Sequence, residues 1–419
     1  MTRQLLKAPA HWRTRSFAPR WTPSTTIRLA STRESRGDPL RILFCGSDSF
    51  SATSLTALHK YSKSPQTDVA SIDVVTRTDK RSGRSLKVIR SPPIKTVAQQ
   101  LGLPVHQIDT FKEWSPPPYI NLVVAVSFGL LIPLRILRLA RYGGLNVHPS
   151  MLPDLPGAAP IQWTIIHGRQ TTGVTVQTLH PYKFDQGVIL DQTPPPGLPI
   201  PDPDHITTND LITLLAPIGA DMLVSAIRNK LYIPPYKGVP ARANGTEIAT
   251  APKITPEMRI INFAKHSEPE ILRRNRAIGP LLTFANRDGL TGGAILLKLS
   301  PDMRCVMESE IPEDMRHVTD AIAVGVPYAI LPKNGLPIQS DQPLMVNVHA
   351  SKGGISRIAI PHATVANMKR KPGAAAAARA GFFDEPTRIG EYDLYVPSQH
   401  LAVPEKSNDQ QGKPPHDSA

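Results

Sequence analysis

Short apolar runs alternate with helix-spaced patterns through the first half of the chain. Residues 40–46 read Leu-Arg-Ile-Leu-Phe-Cys-Gly, which predicts a buried strand entering a tight turn. Ser49 to Lys60 follows with Phe50, Ser54, Leu55 and Leu58 close to helical spacing. Ser71 to Thr76 predicts a second strand, Pro93 to Leu101 a helix stopped by Gly102 and Pro104, and Asn121 to Val126 a third strand. This last run is apolar at nearly every position. Continuous rather than alternating apolarity requires burial on both faces, hence a parallel sheet. Strands separated by helices then give an α/β domain with right-handed crossovers.

Further along, Gly173 to Leu179 alternates and predicts another strand. Asn209 to Leu231 predicts a long helix with Leu211, Leu215, Met222 and Leu223 on one broad face, kinked or broken at Pro217. Residues 193–206 and 233–253 are rich in proline and polar residues. The second stretch, 233–253, is the expected linker between a catalytic domain at 40–232 and a smaller domain at 254–393. That domain should hold a helix around Pro269–Ala277 and strands at Ala294–Leu299, Ala321–Val326, Leu344–His349 and Ser356–Ile360, a pattern suggesting a small β-barrel. The polar stretch 394–419 is expected to be a disordered tail.

Charge changes the picture. The sequence carries 48 Lys+Arg against 34 Asp+Glu, a net +14, which favours a polyanionic partner or an organelle presequence. Residues 1–33 hold Arg3, Lys7, Arg13, Arg15, Arg20, Arg28 and Arg33 with no acidic residue, frequent Ser and Thr, and no long apolar stretch. That is the make-up of a mitochondrial presequence, so 1–39 is expected to be disordered and to direct the protein to the matrix. A basic arm touching nucleic acid is the other reading of the same composition. Residues 251–380 contain 17 Lys+Arg against 11 Asp+Glu, clustered at Arg273, Arg274 and Arg276 and at Lys369, Arg370 and Lys371. Cys45 and Cys305 cannot build a disulfide framework, and the scattered histidines lack ligand spacing, so no metal is expected. No uninterrupted apolar run reaches the roughly 18 residues of a membrane span, and no membrane partner is expected.

Candidate chemistry gathers between 142 and 191. Gly143 and Gly144 precede a tiny strand, Leu145–Val147, in which alternate residues share a face. Asn146 and His148 therefore project together from its C-terminal end, where open α/β sheets place ligands. A carboxamide beside an imidazole pairs an oxyanion donor with a proton carrier. Prolines at 149, 153 and 156 stiffen the following loop, and Gly157-Ala158-Ala159 admits close approach of a chain or ligand before a helix beginning near Pro160. Asp185, in Lys183-Phe-Asp-Gln-Gly187, sits on a turn after a strand, where its carboxylate can orient or charge His148. Taken alone, these residues equally suit a capped turn, a histidine satisfied by a backbone carbonyl and an ordinary Asp turn. His106, His167 and His180 read as structural or solvated.

The string Leu145-Asn-Val-His-Pro-Ser-Met-Leu-Pro-Asp-Leu-Pro-Gly-Ala-Ala-Pro-Ile-Gln162 resembles the signature of the folate-dependent formyltransferase family, in the form carried by methionyl-tRNA formyltransferases. Arg41-Ile-Leu-Phe-Cys-Gly-Ser-Asp-Ser-Phe is similar to that family's first strand and turn, and Asp79-Lys-Arg-Ser-Gly-Arg to its basic loop. Ser91-Pro-Pro-Ile-Lys-Thr-Val-Ala resembles its next helix start, and Ser127-Phe-Gly-Leu-Leu-Ile-Pro a strand exit. Weaker similarity continues to Arg259-Ile-Ile-Asn-Phe. Pro149, Gln186 and the Ile278-Gly-Pro-Leu turn depart from the family's pattern.

The resemblance implies a Rossmann-like formyltransferase domain with a parallel-rich sheet, followed by an OB-like barrel. It implies catalytic roles for Asn146, His148 and Asp185. It places folate contacts on Ser150, Met151, Leu152 and Pro153, with Phe128, Gly129 and Leu130 lining the pterin pocket. It also implies that Arg84, with Lys80, Arg81 and Lys87 around it, reaches the acceptor arm of a tRNA, whose backbone Arg273 and Arg274 would also meet. The implied reaction moves a formyl group from the co-substrate 10-formyltetrahydrofolate, without a metal, to the α-amino group of initiator methionyl-tRNA. A monomer is expected, serving mitochondrial translation initiation. Two other readings stand beside it. A folate-dependent formyltransferase acting on a small-molecule amine would share the trio but not need the basic loop. A non-catalytic RNA-binding relative would keep the charge and lose the trio.

Overall fold

The computed structural model describes residues 38–82, 86–239, 247–285, 295–332, 343–365, 371–375, 383, 387–389 and 391–397. The expected presequence, the stretch 398–419, Arg84, Lys369 and Arg370 lie outside the described residues. In chain order the first elements are β1 (Leu40–Gly46), α1 (Ser49–Ser62), β2 (Val69–Thr76), β3 (Lys80–Ser82), β4 (Val88–Arg90), α2 (Pro93–Gln100), β5 (Val105–Gln107), β6 (Leu122–Val126) and α3 (Leu134–Leu139). They are followed by β7 (Gly144–His148), α4 (Pro160–Ile166), β8 (Thr171–Thr172), β9 (Thr175–Thr178), β10 (Ile189–Gln192) and α5 (Thr208–Arg228).

Seven of these strands form one sheet in the order β10-β9-β7-β6-β1-β2-β5. From β5 to β7 they run parallel, and β9 and β10 turn antiparallel at the edge beside β7. The continuous apolar runs are explained by what lies on each face. Leu40, Ile42 and Phe44 of β1, with Leu122, Val124 and Val126 of β6, join the core that holds Phe50 and Leu55 of α1 and Leu215 of α5. The intervening Leu43, Cys45, Val123 and Ala125 pack against Phe111, Phe128 and Ile136 on the opposite face. Each large side chain so enclosed contributes about 1.5–3 kcal/mol.

The helix starts follow capping chemistry. Asp48 accepts from Ser51 N at 3.0 Å to open α1, and Thr207 and Asp210 form a reciprocal capping box on α5. Of the kink or break expected at Pro217, the break does not occur: α5 continues through it. Pro217 lies on the exposed side of the helix, where water can serve the carbonyl the ring leaves unpaired. By length and composition α5 is apolar enough to cross a membrane, yet Leu211, Leu215 and Leu223 are spent in the core.

The expected catalytic domain at 40–232 and smaller domain at 254–393 share packing. From Pro39 onward the described residues form one compact unit. The core under α1 and α5 continues without interruption into Ile261, Phe263, Ile271, Leu297 and Val346. Around and past α6 (Glu268–Ile278) come two further sheets, compatible with the small barrel. One is five-stranded, from Ile260–Ile261 to Lys371–Pro372, and the other six-stranded, from Arg304–Cys305 to Thr387–Ile389. The strand expected at Ala321–Val326 is instead a turn ending the helix Glu313–Asp320. Gly325 has φ +86° there, and the strand follows at Pro327–Pro332. Tyr392–Tyr395 is also a strand with Leu394 fully buried, so the ordered chain passes the boundary expected at 394.

Candidate active site

β7 carries Asn146 and His148 at alternate positions, and both reach the cleft at the C-terminal edge of the parallel strands. Asp185 arrives from the loop between β9 and β10. Its Oδ1 accepts from Asn146 Nδ2 at 3.2 Å and lies 3.3 Å from His148 Nδ1. Its Oδ2 accepts from the backbone of Gly157 at 2.8 Å. The His148 and Asp185 side chains are each only 6% exposed. The other face of the imidazole is held too: Nε2 lies 3.0 Å from the carbonyl of Leu155. Both neighbours of the ring are acceptors, so a ring that has taken up a proton donates to both. Asn146 commits one amide hydrogen to Asp185 and keeps the second for a group in the cleft.

Holding Asp185 there has a backbone cost. Asp185 has φ +54°, a left-handed conformation that Asp tolerates better than most residues. Two residues on, a Cβ at Gly187 would sit 1.7 Å from the Thr178 carbonyl oxygen, so only glycine lets the loop return this close to β9.

One residue of this arrangement escaped the sequence reading. Gln177, fully buried on β9 and paired in register with Asn146, donates from Nε2 to Asp185 Oδ1 at 3.2 Å. It also accepts from Gly187 N at 3.1 Å. The alternation of Gly173 to Leu179 sets Gln177 on the face opposite Val174 and Val176, which the pattern assigns to solvent, so nothing in the sequence signals its burial.

The cleft encloses about 470 Å³. Phe128, Gly129 and Leu130 are among its lining residues, in a tight turn with φ +48° at Ser127 and +76° at Gly129. Asp48 also faces it, and burial pushes its carboxyl above the usual range. Ser150, Met151, Leu152 and Pro153 are not in the lining. Ser150 Oγ donates to the Asp154 carbonyl at 2.7 Å, and Met151 and Leu152 are buried beneath the loop, so this segment shapes the floor from behind. Cys45 is fully buried behind the sheet and burial pushes its thiol up, which leaves it inert.

The close approach expected at Gly157-Ala158-Ala159 is made by the chain itself. Gly157, at φ +132°, has no room for a Cβ because the Ala251 carbonyl oxygen would lie 2.3 Å from it. The expected linker is therefore pinned over the catalytic loop, and Lys253 joins the cleft wall.

The basic residues part company. Lys80, Arg81 and Lys87 are exposed on the arms of a β3–β4 hairpin paired Lys80↔Arg90 to Ser82↔Val88. The described part of the expected basic loop is thus largely in strands. Its base is tied down by Lys95, which bonds to Asp79 at 2.6 Å and holds that carboxyl below the usual range. The arginines of α6 make contacts with their own chain. Arg274 Nη2 donates to Glu270 at 2.8 Å, and the Arg273 guanidinium lies against Gly168 after α4. Among the described residues no group of three or more metal-ligating side chains gathers.

Residues 40–211 match the formyl transferase family model. Mitochondrial methionyl-tRNA formyltransferase of Saccharomyces cerevisiae is 34% identical over 288 residues, which cover 59% of this chain and 69% of that protein. The Homo sapiens mitochondrial methionyl-tRNA formyltransferase is 33% identical, covering 63% of this chain and 64% of its own length. The methionyl-tRNA formyltransferase of Ehrlichia ruminantium is 37% identical, covering 45% of this chain and 60% of its own length. Among solved structures, a sugar 3N-formyl transferase aligns over 80% of this chain and all of its own, with TM-score 0.46 and 16% identity.

Proposed function

The chain belongs to the methionyl-tRNA formyltransferase family, and on that premise we propose that it formylates the α-amino group of initiator methionyl-tRNA from 10-formyltetrahydrofolate in mitochondria. The observation that carries this reading is the convergence of Asn146, His148 and Asp185 on one carboxylate at the edge of an enclosed cleft.

The cleft suits the co-substrate. Phe128, Leu130 and Ile132 offer an apolar wall for a flat ring, and the tight turn at Ser127–Gly129 exposes backbone groups beside it. When bound, 10-formyltetrahydrofolate supplies the formyl group. The free hydrogen of Asn146 Nδ2 stabilises negative charge growing on a carbonyl oxygen placed before it. His148 takes a proton from an amine that approaches as a nucleophile and can return it to a leaving nitrogen. Asp185 holds the imidazole and balances the positive charge it acquires, as a buried carboxylate does in other acid–base sites. The hairpin bearing Lys80, Arg81 and Lys87 suits a phosphate backbone. The reading includes a monomer without membrane attachment; in its support, one chain supplies the whole trio and α5 is used inside the core.

The test is formylation of charged Met-tRNA by the purified protein with 10-formyltetrahydrofolate, resolved on acid gels, with free methionine and an amino sugar as alternative acceptors. Transfer to the amino sugar and not to Met-tRNA would move the assignment to a small-molecule formyltransferase.

A further inference from the structure

The imidazole of His148 is held on its Nε2 side by a backbone carbonyl, that of Leu155, to which the catalytic loop itself gives only a long bond, from Ser150 Oγ at 3.4 Å. The segment carrying it is held further from outside. Residues 249–251 run alongside the loop: Leu155 N donates to Ala249 O at 2.9 Å, Ala251 N to Pro156 O at 2.8 Å, and Ala159 N to Ala251 O at 3.1 Å. Trp163 Nε1 on α4 adds a bond to Pro252 O at 2.8 Å. Together these bonds lay a short strap across the loop from Leu155 to Ala159.

A buried ion pair anchors the strap. Asp154 Oδ1 accepts from Arg169 Nη2 at 3.0 Å and from Ala249 N at 3.0 Å, and the same Arg169 nitrogen donates to Glu247 O at 2.6 Å. The two side chains, Arg169 and Asp154, are 13% and 7% exposed. Their charges are largely enclosed and are met by each other and by the strap backbone, so the geometry of all three is mutually fixed. Asp154 is also the residue directly before Leu155.

We propose that Asp154 and Arg169 are positioning residues: by clamping residues 247–251 onto the catalytic loop they set the Leu155 carbonyl, and through it the orientation of His148. The kinetic part of this inference rests on the formyl-transfer reading; its structural part does not. The strap leads directly to Lys253 in the cleft wall and to Ile254, packed against the shared core. The clamp thus ties the chain entering the second half of the molecule to the imidazole.

Arg169→Met keeps most of the side-chain volume and removes the clamp, while Arg169→Lys keeps the charge. In the full-length protein, amide hydrogen exchange at Leu155 and Ala251 should speed by roughly 10-fold or more in Arg169→Met. The 15N resonances of the His148 ring should shift, and kcat should fall roughly 10-fold with the KM for 10-formyltetrahydrofolate within about 2-fold, as expected when a reacting group is misplaced rather than a ligand lost. Arg169→Lys should recover most of each effect; if Arg169→Met does not fold, partial loss of the same three readouts in Arg169→Lys and in Asp154→Asn carries the test. Faster exchange with an unmoved His148 resonance and unchanged kcat would overturn the inference and leave the pair purely structural. Should the wild-type protein not formylate Met-tRNA at all, the functional reading fails while exchange and the ring resonance still decide whether the strap positions the imidazole.

Discussion

At the ends of β7 and β9 the polar side chains are buried and bonded to one another, whereas on the β3–β4 hairpin they are exposed and touch little of their own chain. The difference follows from the range over which each works. Stabilising charge on a reacting atom requires donors fixed about 3 Å away before the reaction begins. Attraction of a polyanion acts over about 10 Å at ordinary salt and survives mobility. Helix α6 is a third case: its arginines look like the hairpin's in the sequence, but the fold draws them into contacts with Glu270 and with the turn at Gly168.

The sharpest break of this comparison comes from the buried side. Asn146→Ala, His148→Ala and Asp185→Ala should each lower turnover roughly 100-fold or more while circular dichroism and melting report a folded protein. A folded variant with near-normal turnover would remove that residue from the catalytic group.

The hairpin should respond in affinity instead. Replacing Lys80, Arg81 and Lys87 together with alanine should raise the KM for Met-tRNA about 10-fold. It should also flatten the salt dependence by roughly two to three units of log–log slope, close to one for each phosphate no longer neutralised. The KM for the folate should not move. A defect confined to the folate would place the hairpin at the wrong substrate.

Gln177 belongs with the buried group but acts at one remove. Gln177→Leu strips a donor from Asp185 and leaves the Gly187 N–H without its partner. The loss is about 1–2 kcal/mol, and turnover should fall roughly 5-fold with both KM values nearly unchanged. A larger loss than that of Asp185→Ala would contradict an indirect role.

These outcomes bear on what a sequence can tell. The strands and helices of the main sheet were legible because β1 and β6 are apolar at nearly every step and Asn146 and His148 share strand parity. Asp185 read equally as part of an ordinary turn, and it joined them as a trio only through the family resemblance. What could not be read depends on contacts across long separations. Nothing near Gly157 announces that Ala251 will lie against it, and a proline-rich stretch at 233–253 has the composition of a tether whether or not it is pinned. Pro217 broke its expected rule because the rule concerns an unserved carbonyl, and exposure supplies water. The basic run on α6 raises a related point: composition counts charges but does not show which already have a partner.

Arg274 tests that last point with the smallest expected effect. Its guanidinium reaches one turn back to Glu270, and the two side chains are 23% and 38% exposed. His266 Nε2 lies 3.9 Å from the same carboxylate oxygen, so Glu270 has a second basic neighbour if Arg274 is removed. A partly solvated pair of this spacing is worth about 0.3–0.5 kcal/mol. Arg274→Ala should therefore lower the melting temperature by no more than about 2 °C and leave the KM for Met-tRNA within about 2-fold. Glu270→Gln serves as the opposite probe, because it frees the arginine without deleting it. If α6 met the tRNA backbone, freeing Arg274 would tighten Met-tRNA binding and steepen its salt dependence. If the arginine is held for the fold, neither quantity changes. A rise in KM for Arg274→Ala as large as that of the hairpin variants, with tightening in Glu270→Gln, would restore α6 to the nucleic-acid surface and show that an ion pair within a helix does not withdraw its arginine from an incoming phosphate.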